Sequence, residues 1–213
     1  LTGKKLYEIM SLPISREVFI ITSKKIRDIA LKHFSEFGYE STSLNNIAEE
    51  VGIRKASIYA HYKGKDEIFK TVLHHALRTE KAEIANYFTS HQHESLENIL
   101  RGYFDWLKEE SKNNECLKFL MRVVYFPPPN LRKETSDLVN PFLTEMYRHL
   151  SRFLREKSRV ENMVFSNHYS SIALTFITLS EGCFIELLFA EEKSYEARVN
   201  AAFPIFWQGV HCD

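Results

Sequence analysis

The sequence predicts an all-α protein in two parts, a small N-terminal domain of three helices and a larger C-terminal helical bundle domain. Three observations carry that expectation. Apolar residues recur three and four apart along most of the chain, the period that places them on one face of a helix. No two-residue alternation persists over a long stretch. The 213 residues hold only 7 Gly and 6 Pro, few punctuation points for a chain of short strands.

Taken in order, residues 1–22 read as either a flexible arm or a short extra helix. The first clear stripe is Ile26, Ile29, Ala30, Phe34 and Phe37, stopped by Gly38, which suits the position just past a helix end. A second, short stripe of Leu44, Ile47, Ala48 and Val51 is preceded by Thr42 and Ser43 and closed by Gly52. Ser43 is the expected N-cap, its hydroxyl accepting from a free backbone N–H. A third segment runs from Lys55 to Tyr62, about two turns. Lys63-Gly64-Lys65 then breaks the chain, and Asp66 and Glu67 open a longer helix at the end where negative charge is favourable. Its apolar face carries Ile68, Phe69, Val72, Leu73, Ala76 and Leu77.

Beyond residue 90 the expected helices lengthen. They cover roughly 94–111 and 114–126, with Pro127-Pro128-Pro129 as a stop. A long amphipathic helix follows from Leu131 to Glu156. Residues 162–190 are apolar nearly all round from Tyr169 onward, as in a helix buried on two faces. The last helix, about 194–210, contains Pro204, which should kink it or mark a restart.

Composition sets bounds. With 44% apolar residues the chain can bury a sizeable core, and its formal net charge is zero. Residues 1–70 hold 12 Lys+Arg against 9 Asp+Glu, so a mildly basic head (+3) sits on a mildly acidic body (−3). That asymmetry permits contact with nucleic acid without demanding it. Cys116, Cys183 and Cys212 are odd in number and form no CxxC pair, which argues against a disulfide framework or a zinc site and for a reducing cytoplasm. The N-terminus does not read as a signal peptide. No apolar run approaches the roughly 18 residues a membrane span needs, so no membrane partner is expected.

Residues 43–62 form two short helices joined by a glycine-led turn, Gly52-Ile53-Arg54. In the second, Ile58 and Tyr62 lie four apart for packing, while Lys55, Ser57, Tyr59 and His61 fall on other faces and can hydrogen-bond DNA. A recognition helix needs that division: one side locked to the body, small or polar residues entering a major groove about 12 Å wide. Spacing alone does not separate this helix-turn-helix from a solvated surface hairpin.

The stretch from Ile26 to Phe69 resembles the N-terminal domain of TetR-family repressors. The matching residues run in register: Ile29-Ala30, Phe34, Phe37-Gly38-Tyr39, Thr42-Ser43, Ile47-Ala48, Val51-Gly52, Lys55, Ile58-Tyr59, His61-Tyr62 and Lys63-Gly64-Lys65-Asp66-Glu67-Ile68-Phe69. Ala56 stands where the family often has glycine and Tyr62 where it often has phenylalanine. The resemblance implies a helix-turn-helix DNA-binding domain over 23–65 and a ligand-sensing and dimerisation domain over 66–213. The partners implied are a double-stranded palindromic operator, a second copy of the chain and a small apolar effector; no cofactor and no catalysis are implied. Thr42 and Ser43 are then placed for phosphate, as is Tyr59. Tyr62 is either a phosphate contact or mostly core, and His61 either a phosphate contact or a cap of the helix end. Lys65 would add a charged phosphate contact, and Lys55, Ala56 and Ser57 would meet base edges.

Elsewhere the signals are weaker. His74-His75 and His91-Gln92-His93 match no strong metal signature and read as solvated histidines. No GxSxG, Walker loop, GxGxxG or HExxH occurs, which favours a binding protein over an enzyme. Most of the many aromatics should be ordinary core. A subset, Phe104, Met121, Tyr125, Phe142, Met146, Tyr169 and Phe176, is expected to line an effector cavity. Glu181 and Glu186 lie within a very apolar helix and need a partner there. Glu181 is assigned to a dimer interface, with Phe203, Phe206 and Trp207 of the last helix.

Overall fold

The computed structural model describes residues 16–165, 168–189 and 192–210. Among them are nine α-helices, one 3-10 turn and no strand. The chain divides at Val72/Leu73 into two compact units. Most of the expected arm, residues 1–15, and Cys212 lie outside the described residues.

In the first unit, α1 (Arg16–Ser41) is broken at Gly38, where φ is 80° and ψ 173°. That backbone is open to glycine and strained for other residues, so the expected stop at Gly38 is present as an interruption. Residues 16–22 are helical and continuous with α1, which removes the flexible-arm reading for that stretch. Helix α2 (Leu44–Val51) begins at Ser43, whose extended backbone (φ −111°) and side chain, accepting from Asn46 N at 3.2 Å, make it the N-cap. It ends on Gly52 in the left-handed conformation (φ 81°), whose N–H donates to the carbonyls of Ala48 and Glu49. Helix α3 is one turn, Lys55–Ile58, shorter than expected. Bonds from His61 N and Tyr62 N back to Ile58 O carry the chain round to α4 (Lys65–Ser90). The core of this unit gathers Ile26, Ala30, Phe34, Ile47, Val51, Ile58, Ile68 and Phe69. Phe37, expected in the stripe, is 56% exposed, and Leu31 is buried instead. The boundary falls after residue 65 because Ile68, Phe69 and Val72 on the first turns of α4 are buried with the first unit.

The second unit comprises the rest of α4, then α5 (Leu96–Asn113), α6 (Glu115–Tyr125), a 3-10 turn at Pro129–Leu131, α7 (Arg132–Val160), α8 (Tyr169–Phe189) and α9 (Glu192–Val210). Its core centres on Leu100, Tyr103, Phe104, Phe176, Phe184 and Phe203. Two buried phenols are satisfied by carbonyls: Tyr87 Oη donates to Ile99 O and Tyr195 Oη to Phe104 O, each at 2.7 Å. Proline 204 neither stops nor restarts the last helix, which runs unbroken from Glu192 to Val210. The stretch Tyr169–Leu187 is long and apolar enough, by length and composition, to cross a membrane. The expectation that no such stretch exists therefore fails. In this fold one side of it, with Ile172, Ala173, Phe176, Cys183 and Phe184, belongs to the core.

Candidate DNA interface and ligand cavity

Helix α3 is held by one side chain. Ile58 is fully buried, while Lys55, Ala56 and Ser57 are exposed and Tyr59, just past the helix, is 55% exposed. Two adjacent helix ends are fixed around it. Lys25 Nζ donates to Val51 O at 2.8 Å, closing α2, and Gly52 turns the chain. Lys32 and His33 of α1 reach Glu50 of α2 at 3.0 and 2.7 Å, and these hydrogen bonds hold the Glu50 carboxyl below its usual pKa. The result is a one-turn helix with three consecutive polar or small residues, Lys55, Ala56 and Ser57, facing outward on a supported base.

Three expected phosphate contacts point inward instead. Thr42 is 1% exposed, and its hydroxyl donates within the unit toward Gly38 O at 2.8 Å and His33 O at 3.2 Å, which ties the Gly38 turn. Tyr62 is 7% exposed; its Oη donates to Ser23 O at 2.9 Å and accepts from Ser23 Oγ at 3.0 Å. Of its two readings the core one holds, and burial pushes its pKa up. Lys65 Nζ donates to Tyr39 O at 2.9 Å and Thr42 O at 3.1 Å and sits 4.1 Å from the centre of the Tyr39 ring. It supplies the positive charge that the end of α1 needs. His61 packs its ring 4.3 Å from that of Phe19, with Nδ1 buried and unpartnered. Ser43 remains exposed beside the N-terminus of α2.

The second unit holds a partly open cavity of about 410 Å³ between α4, α5, α6, α7 and α8. Of the seven expected lining residues, Met121, Tyr125, Phe142, Met146 and Phe176 are on its wall. Phe104 is not; it is fully buried in the core, where it stacks edge-on against Phe176 and Phe203. Tyr169 is not either, and its hydroxyl pairs with Ser158 Oγ at 3.0 Å. The wall is mostly apolar, but it includes two carboxylates in its buried part. Glu80 is 2% exposed; Oε1 accepts from Asn114 Nδ2 at 2.7 Å while Oε2 is buried without a partner. Burial raises its pKa to about 7. Glu181 also lines the cavity, half-buried, and desolvation raises its pKa.

That position corrects the assignment of Glu181 to a dimer interface. Phe203 and Phe206 are corrected too, being 4% and 7% exposed within the chain's own core. Trp207 is partly buried, stacked on Phe203. Among the described residues, the large apolar side chains that α8 and α9 leave most in solvent are Leu174, 58% exposed, and Ile205, 73% exposed. Glu186, by contrast, finds its partner within the chain, Arg198 at 2.7 Å.

Asn114 was missed by sequence reasoning. It is the C-cap of α5 and the N-cap of α6, where its Oδ1 accepts from Leu117 N at 3.1 Å, and its Nδ2 also holds Glu80 and Glu110. Asn preceding an apolar-periodic run is a capping signal; its second duty has no sequence signature.

Residues 26–72 match the family described as bacterial regulatory proteins, tetR family. The N-terminal domain is of the tetR family. Over 46 residues it is 50% identical to the biofilm operon icaADBC HTH-type negative transcriptional regulator IcaR of Staphylococcus epidermidis, a match covering 22% of this chain and 25% of that relative. The chain thus spans about a quarter of the length of the curated relatives it matches. The fold extends much further. A TetR-family transcriptional regulator from Agrobacterium tumefaciens superposes with a TM-score of 0.71 at 17% identity, covering 91% of this chain and all of the other. The regulator FadR from Bacillus subtilis, solved with stearoyl-CoA, gives 0.65 at 16% identity, over 88% of this chain and 99% of the other. Outside the first unit, the likeness is therefore one of fold.

Proposed function

We propose that the chain is a transcriptional regulator, a repressor that binds a palindromic operator as a dimer and releases it when a small apolar molecule fills the cavity. The observation that carries this reading is the exposed run Lys55, Ala56, Ser57 and Tyr59 around a single buried anchor, Ile58. A groove-reading helix needs its outer side chains free and its axis fixed. Lys55 suits guanine O6/N7, the Ala56 methyl a thymine methyl, and Tyr59 and Ser43 phosphate oxygens. The relative named above is a negative regulator, which supports repression. No element of the reading calls for catalysis, and it places the protein in the cytoplasm, with the DNA.

The dimer in this reading is made by the outward faces of α8 and α9, through Leu174 and Ile205 rather than Phe203 and Phe206. Twofold symmetry then presents two copies of α3 to half-sites about 10 base pairs apart, or a multiple of that. Effector coupling runs along α4, which begins at Lys65 and carries Glu80, Ile84 and Phe88 on the cavity wall. An effector that binds the DNA-incompetent conformer more tightly by ~1.4 kcal/mol lowers DNA affinity about tenfold. The test is selection of bound sequences from a random duplex library. An inverted repeat should emerge, and Lys55→Ala should change the preferred base at one position of each half-site. Selection that returns no symmetric site, or an unaltered preference in the variant, overturns the reading.

A further inference from the structure

We propose that the cavity ligand is an apolar cation, an amine or quaternary ammonium compound, with Glu80 and Glu181 as its counter-charges. This rests on the reading of the cavity as an effector site and adds the chemical class of the effector.

Two carboxylates and their surroundings carry the proposal. Glu80 is the most buried charge-bearing side chain on the wall, and its Oε2 has no hydrogen-bond partner. An unpartnered buried carboxylate oxygen is costly to keep, and a cation in the cavity would supply what it lacks. Glu181 lies on the same wall, half-buried, and among the described residues no basic group is paired with it. The aromatic rings of Phe88, Tyr103, Phe142, Phe176 and Phe184 complete the lining, and ring faces attract cations. An anionic ligand fits this wall poorly. Of the basic residues lining the cavity, Lys81 is engaged with Glu145 at 2.5 Å, His149 lies 3.4 Å from the same carboxylate, and Arg152 is exposed. A neutral ligand would leave both carboxylates as they are.

The groups around Glu80 set how binding depends on pH. Asn114 donates to it; Glu110 and Glu83 raise its pKa together with burial; Tyr103 is its neighbour across the wall. Glu181 adds a second carboxyl. Glu145, held by Lys81 and by His149 at 3.4 Å, lies with Arg152 and Glu156 on the α7 side. Near neutral pH Glu80 is partly protonated, so a bound cation drives its proton off. Affinity for a permanent cation should rise with pH through about 7 and then level.

The test uses probes matched in size and differing in charge: phenylbutyl-trimethylammonium, phenylbutanol and phenylbutanoate, titrated calorimetrically into the full chain. The ammonium should bind about tenfold tighter than the alcohol, equivalent to ~1.4 kcal/mol, and phenylbutanoate weakest. At neutral pH ammonium binding should release a proton, read as a heat that changes with the ionisation enthalpy of the buffer. Glu80→Gln should abolish that release and shrink the ammonium-to-alcohol ratio severalfold. A carboxylate that binds as tightly as the ammonium overturns the proposal and leaves the cavity reading intact. Proton release that survives replacement of both Glu80 and Glu181 by Gln assigns it to another group and also overturns the proposal. If none of the three binds, the effector-site reading itself fails.

Discussion

Glutamine at position 80 isolates the cost of that buried charge without any ligand. The carboxyl is 2% exposed, and burial carries its pKa from 4.5 to about 7 against the opposing hydrogen bond from Asn114. A carboxyl whose folded pKa lies above its unfolded value binds more protons in the folded state between the two. Its contribution to stability is therefore complete below the unfolded pKa and is lost as pH rises through the folded one. At ~1.4 kcal/mol per pH unit the whole loss comes to about 3 kcal/mol. Most of it, about 2–3 kcal/mol, falls between pH 5 and pH 8. The assay is urea unfolding of wild type and Glu80→Gln across that range at one fixed chain concentration, since association shifts apparent stability. Other titrating groups cancel in the difference between the two proteins. The variant should gain on the wild type by about 2–3 kcal/mol from pH 5 to pH 8. Parallel curves would show that Glu80 reaches water or a cation in the folded protein, and the argument from its burial would fall.

Three more substitutions separate residues that face DNA from those that build the domain. Tyr62→Phe removes the bonds to Ser23 and should cost about 1 kcal/mol of stability while operator affinity, measured well below the melting temperature, holds; a tenfold loss of affinity without loss of stability would return Tyr62 to the phosphate backbone. Lys65→Ala should lower the melting temperature by removing the ligand of Tyr39 O and Thr42 O, with the salt slope of DNA binding unchanged; a slope smaller by about 1 would mark a phosphate contact instead. Ile205→Glu should give monomers by sedimentation and lose operator binding, because it places a charge on the exposed face of α9. Phe203→Ala should instead destabilise each chain by about 3–5 kcal/mol through a core cavity, and a folded, monomeric Phe203→Ala would reverse the two assignments.

In the first unit, the order of elements was legible because each boundary carries a local signal. Ser43 has the hydroxyl an N-cap needs, Gly52 the freedom for φ 81°, and Gly38 the freedom for φ 80°. The exposure of Lys55, Ala56 and Ser57 follows from a one-turn helix with a single apolar residue. What misled was chemistry read without direction. Thr42, Tyr62 and Lys65 all carry groups able to bind phosphate, but the same groups can satisfy the backbone. At the end of α1, Thr42 lies beside the carbonyl of Gly38 and Lys65 beside those of Tyr39 and Thr42, while Tyr62 reaches the carbonyl of Ser23 within that helix. A hydroxyl or ammonium near an unfilled helix end is claimed by it, since a buried carbonyl left without a donor costs about 1–3 kcal/mol. Residue type states what a side chain can bind; only the backbone around it states what is already bound.

In the second unit the period of apolar residues tells which side of a helix is covered, but not by what. Phe176 and Phe206 are equally apolar in sequence, and one lies on a cavity wall while the other is packed core. The excess apolar surface of α8 and α9 pointed to a partner surface, but Phe203 and Phe206 are consumed inside the chain and smaller exposed residues, Leu174 and Ile205, remain. Large rings bury more area and are drawn to the interior first, so the residues left for a partner are those the core can spare. Polar residues in an apolar helix are more informative. Glu186 and Glu181 are indistinguishable by spacing, yet Glu186 meets Arg198 and, among the described residues, Glu181 has no ion-pair partner. Once every neutralising contact within the chain has been assigned, the carboxylates that lack one mark where the fold has left room for something else. Glu80 and Glu181 share the same 410 Å³ cavity. A pair of uncompensated charges facing one space is retained against its own cost, and a ligand that removes that cost gains affinity from a penalty the protein already carries.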